Sequence, residues 1–122
     1  MPAQTRLAQL IAKEEGYGIP GAIPTVDNNP GDLRHSPHSS HEGEGPDDIG
    51  IIPNVNDGWA DLERQLQIYA QRGMTLAEMV SEYAPVEDGN DPNSYLAFVC
   101  NGLGLLPTAT VEQALTVPAI QS

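Results

Sequence analysis

Two adjacent carboxyls, Glu14 and Glu15, close an apolar-patterned N-terminal segment and are followed at once by Gly16 and Tyr17. A carboxyl at a helix end that touches apolar neighbours on one side and a groove on the other can keep its proton near neutral pH. Such a group can protonate the leaving oxygen of a glycosidic bond. Helical geometry does not rank the pair cleanly. Glu14 shares the face of Leu7, Leu10 and Ile11 and is slightly favoured as the buried one, whereas Glu15 lies on the flank, four residues after Ile11. The flank has its own logic, because a catalytic acid must meet both the core and the substrate. Read without chemistry, the pair is a solvated helix end beside Lys13 or Arg6.

Other residues offer weaker chemistry. Asp27 is the candidate second carboxylate, able to position water or stabilise an oxocarbenium ion, set against the simpler reading of a solvated loop aspartate. Asn28-Asn29-Pro30-Gly31 reads first as a turn, with glycan contact by Asn29 or Arg34 as the alternative. His35, His38 and His41 recur beside Glu42 and Glu44, but in an irregular loop without a recognised ligand spacing, so no metal is expected. Cys100 lies between Val99 and Asn101 on a predicted helix and reads as a buried, inert thiol. No phosphate-binding glycine loop is found, and no cofactor is expected.

The elements that must position these residues follow from periodicity and punctuation. A first helix runs from Ala3 to Glu15, broken by Gly16, Gly18, Pro20 and Gly21. Residues 16–57, rich in Gly, Pro, Asn and Asp with apolar stretches only near Leu33 and at Ile49 to Ile52, predict a small β-hairpin or sheet region. The long loop 34–48 within it has no large apolar anchor and is expected to be exposed. A second long helix carries Trp59, Leu62, Leu66 and Tyr69, with Asn56 and Asp57 as cap candidates and Gly73 as its stop. Thr75 and Glu78 form a capping box ahead of a third helix ended by Pro85. Asp91-Pro92 opens a fourth that ends at Gly102 or Gly104, and Thr110 with Gln113 caps a short last helix.

The whole, 122 residues, fits one domain and one core. A formal net charge of −12 disfavours nucleic acid and anionic membrane surfaces as partners. A single cysteine excludes an intrachain disulfide. The N-terminal stretch has no continuous apolar run, and nothing approaches the roughly 18 apolar residues of a membrane span. Synthesis in the cytoplasm is therefore expected, with release by lysis, a secretion machine or a virion as routes outward.

Glu15-Gly16-Tyr17, followed by Asn28-Asn29-Pro30-Gly31-Asp32-Leu33-Arg34, resembles a family of small phage-associated and bacterial lysozyme-like domains. That family pairs a Glu-Gly-aromatic helix end with an Asn-Asn-Pro-Gly-Asn-Leu-Arg turn. The likeness continues through Ile49 to Pro53, Gly58-Trp59-Ala60-Asp61-Leu62, Tyr83-Ala84-Pro85, Asn90-Asp91 and Tyr95, covering residues 7–104. It departs at Asp32, where Asn is usual, and in the long acidic, histidine-bearing loop. The resemblance implies an α+β, mainly α, lysozyme-like fold: an N-terminal helix, a small β-hairpin or sheet region and a C-terminal helical lobe. It further implies that a monomer cleaves peptidoglycan glycan strands as a muramidase or lytic transglycosylase. The catalytic acid carries over to Glu15, with Glu14 a neighbour whose charge raises its pKa and Tyr95 lining the groove. The alternative is a non-catalytic glycan-binding or structural module, which the strong acidity suits.

Overall fold

The computed structural model describes residues 4–33, 37, 49–84 and 91–120. Helices order them: α1 (Arg6–Glu15), α2 (Ile23–Val26), α3 (Val55–Gln71), α4 (Leu76–Tyr83), α5 (Pro92–Leu103) and α6 (Val111–Ala114). Each start has a local cause. The Thr5 side chain caps α1 by accepting from the Ala8 N–H. Asn54 caps α3, two residues before the first of the expected caps. Both predicted capping boxes form, Thr75 with Glu78 and Thr110 with Gln113. Asp91 caps α5 with Pro92 in its first turn, and Gly104 ends it in the left-handed region.

One core joins the helices. Leu7, Leu10 and Ile11 of α1 pack with Leu62 and Leu66 of α3, Met79 and Val80 of α4, and Val99 and Leu103 of α5. Each fully buried side chain of this size contributes about 1.5–3 kcal/mol. The crossing of α1 and α5 is close: a Cβ at Gly102 would lie 2.4 Å from Leu10 Cδ2. The chain ends are also joined, because the Gln9 amide donates to the Ile120 carbonyl at 2.7 Å and accepts from its N–H at 2.9 Å.

The expected hairpin does not form among the described residues. Among the described residues there is no strand, and the β pairing they show is an isolated antiparallel bridge between Thr75 and Thr110, so the class is all-α, not α+β. Two ladder-like bonds do link the apolar stretches, Gly50 N–H to Leu33 O and Ile52 N–H to Asp27 O, each 2.9 Å. Side-chain amides then take the remaining positions. Asn29 Nδ2 donates to Leu33 O at 2.7 Å and Gly50 O at 3.0 Å, and its Oδ1 accepts from Leu33 N–H at 3.0 Å. Asn28 Nδ2 donates to Ile52 O at 3.0 Å. Extended backbone is further interrupted by Asn28 and Asp32, both at φ 53°. Residues 23–26, within the region expected to be sheet, form the short α2 instead.

The turn at residues 27–33 is pressed onto the helices through glycine. A Cβ at Gly58 of α3 would fall 2.0 Å from Asn28 O, and one at Gly31 would fall 2.8 Å from both Leu62 Cδ1 and the Tyr83 hydroxyl. Both positions require the missing side chain. Apart from Pro37, the loop 34–48 lies outside the described residues, as do Pro85 and Asn90.

Candidate active site

Glu15 is the last residue of α1, and Gly16 caps the helix in the left-handed region. Its position follows from the sequence. The apolar stripe of α1 turns inward, so the flank residue at the C-terminal end emerges where core meets surface, and Glu15 is half-buried while Glu14 is exposed. The helix dipole disfavours a negative charge at this end.

Among the described residues, three groups act on the Glu15 carboxyl. From α5, the Tyr95 hydroxyl donates to Glu15 Oε2 at 2.7 Å. From the turn, Asp32 forms a side-chain hydrogen bond with it, and Glu14 adds a more distant charge. Burial is the largest influence and pushes the Glu15 carboxyl up to about 7; the Tyr95 bond opposes this, while the charge of Asp32, its hydrogen bond and the charge of Glu14 reinforce it. Near neutral pH this group therefore holds a proton that it can give up.

The phenols are fixed as neutral donors. Tyr95 is buried, and burial first, then Tyr83, Glu15 and Glu14, drive its hydroxyl far above the ordinary tyrosine range. Tyr83 behaves likewise, raised by burial and then by Glu15, Tyr69 and Asp32. Its hydroxyl donates to Gly31 O, which ties α4 to the turn that carries Asp32. Beside the site, Tyr17 stands edge-on to Trp59 with ring centroids 5.4 Å apart.

The expected site residues divide sharply. Glu15 and Tyr95 come together, and Tyr95 serves both as core and as a contact of the acid. Asp27 is buried, with Oδ2 lacking a hydrogen-bond partner among the described residues. Its carboxyl is raised by burial, and it has no part in the Glu15 shift. Asn29 is fully buried with its amide spent on the turn, a structural place and not a surface one. Arg34 and the three histidines lie outside the described residues. Cys100 is buried and burial pushes its thiol up, away from reactivity.

Asp32 is the residue that sequence reasoning missed. It stood out only as a departure from asparagine in the turn, and its closeness to Glu15 depends on a left-handed backbone that pattern does not reveal. A signal was present: a carboxylate replacing an amide within the stretch that follows the helix-end glutamate. Among the described residues no group of three or more His, Cys, Asp and Glu converges to hold a metal, and no helix is long and apolar enough to cross a membrane. Comparison with protein-family models, with curated proteins and with solved structures finds no match.

Proposed function

We propose that this protein cleaves the glycan strands of peptidoglycan, with Glu15 as the general acid. The observation that carries the reading is a half-buried helix-end carboxyl, held up to about 7 and gripped by a phenol. The motifs around Glu15 and the Asn-Asn-Pro-Gly turn support the same chemistry by resemblance. Cytoplasmic synthesis with release to the wall by lysis, secretion or a virion remains part of this reading.

The carboxyl geometry favours one form of the reaction. Retaining glycosidases separate their two carboxyls by about 5–5.5 Å and inverting ones by about 6.5–9.5 Å. Asp32 hydrogen-bonds Glu15 directly, which is closer than either. A single-acid route fits better. Glu15 gives its proton to the glycosidic oxygen as the bond from that oxygen to the anomeric carbon breaks. The resulting carboxylate then takes the proton of the sugar's own 6-hydroxyl, whose oxygen bonds to the anomeric carbon and closes a 1,6-anhydro ring.

The test is digestion of purified peptidoglycan with mass analysis of the sugar ends. Anhydro ends that disappear in Glu15→Gln support the proposal. Reducing ends would replace the internal attack with water. Glycan binding without cleavage at any pH would instead favour a non-catalytic module, the reading that the net charge of −12 suits.

A further inference from the structure

We propose, resting on the glycan-cleaving reading, that Tyr17, flanked by Ile19, is the platform on which the sugar ring bordering the cut bond lies. The chain leaves α1 at Glu15 and turns at Gly16, whose φ of 93° carries it away from the helix axis. Tyr17 follows at once. Two chain positions span at most about 7 Å, so a ring resting on Tyr17 belongs to a sugar within reach of the Glu15 carboxyl.

The Tyr17 ring is held in place. Its backbone N–H donates to Ala12 O at 2.9 Å, which ties the turn to α1, and the Gly18 N–H donates to Thr25 Oγ1 at 2.9 Å, which ties it to α2. The ring stands edge-on to Trp59 of α3, with planes at 78°. Trp59 is buried and Tyr17 half-buried, so the indole is the fixed member of the pair and the phenol the one that meets solvent. A T-shaped contact uses at most one face of either ring, and Tyr17 keeps a face for another partner. Ile19 extends that surface. It is 60% exposed, yet its Cδ1 lies 3.9 Å from where a Cβ on Gly16 would stand, so it folds over the glycine next to the acid. A Cβ at Gly18, between the two, would meet nothing within 4 Å.

The chemistry of this surface selects its occupant. In a chain of net charge −12, residues 16–26 contain no charged side chain. An aromatic face beside a branched aliphatic suits a ring that offers C–H groups. The pyranoses of peptidoglycan carry their ring substituents equatorially, and their axial C–H groups match the negative face of a phenol.

The experiment uses a tetrasaccharide of alternating N-acetylglucosamine and N-acetylmuramic acid. Calorimetric titration into Glu15→Gln, in which cutting is suppressed, should show binding that weakens about tenfold when Tyr17→Ala is added. Ile19→Ser should weaken it by a smaller factor, and Tyr17→Phe should retain it, because the ring and not the hydroxyl makes the contact. With Glu15 present, Tyr17→Ala should raise KM by a similar factor while kcat and the pH profile stay in place. Unchanged affinity in Tyr17→Ala or Ile19→Ser, an equal loss in Tyr17→Phe, or a fall in kcat with a shifted alkaline limb would overturn the proposal and leave Tyr17 as a prop of the helix end. A wild type that binds the sugar and leaves it intact sinks the cleavage reading alone, since the Tyr17 comparison still decides the platform. Absence of binding in every form sinks both.

Discussion

The two ends of α1 each meet a half-buried glutamate whose carboxyl burial raises, and the neighbours of the two differ. At the N-terminal end Glu63 of α3 receives the Thr5 N–H at 2.7 Å and the Thr5 hydroxyl at 3.0 Å. Burial raises the Glu63 carboxyl, but those donors pull it back, and the positive end of the helix dipole favours its charge. At the C-terminal end Glu15 has, among the described residues, one phenol as donor, a second acid beside it and the negative end of the dipole. Desolvation alone does not make a proton donor. Among the described residues the two carboxyls differ in the donors that oppose burial, two from Thr5 at Glu63 and one from Tyr95 at Glu15.

The contrast can be broken most forcefully at the charged groups themselves. Glu15→Gln should lower glycan cleavage by about 10²–10⁴-fold, the range general acids usually supply, whereas Glu63→Gln should leave the turnover of folded protein near wild type; assays of both under one condition decide the point. Next in size, Asn29→Ala strips partners from two carbonyls and one N–H in the turn and should cost roughly 2–3 kcal/mol by urea unfolding. Such a loss would show that the turn carrying Asp32 rests on that amide.

Three smaller effects sharpen the comparison. The Glu15 carboxyl sits at about 7 when folded, above its ordinary 4.5, so folding takes up a proton there. Its stabilising contribution is complete below about pH 4.5 and is lost as pH rises through 7. After discounting for solvent, roughly 1–2 kcal/mol of stability should disappear between pH 5 and 8, and Glu15→Gln should flatten that slope in thermal melts. Thr5→Val should cost about 1 kcal/mol through the lost cap and push the Glu63 midpoint up, making that end resemble the other. Smallest of all, Tyr95→Phe removes the bond that lowers Glu15, so the alkaline limb of activity should move to higher pH by less than about one unit.

Much of this arrangement was legible in residues whose signals are local. The capping boxes at Thr75 and Thr110, the Asp91-Pro92 start and the apolar stripe of α3 are read within a turn of helix, and all appear as expected. Glu15 was singled out by its glycine and by resemblance, since periodicity leaned toward Glu14, which proves exposed. The hairpin failed because apolar stretches near Leu33 and Ile52 look like paired strands, yet the buried amide of Asn29 competes for their carbonyls. That competition depends on which way one side chain points. Asp32 escaped for a related reason: its neighbour is seventeen positions away, and only the folded turn joins them.

The glycine at the crossing of α1 and α5 has a consequence for the site. Leu10 lies five residues before Glu15, and Gly102 lies seven after Tyr95, so the close approach of Leu10 to Gly102 joins the same two helices that bring the acid and its phenol together. A larger side chain at 102 would meet Leu10 and could not be housed without parting the two helices that carry the acid and its phenol.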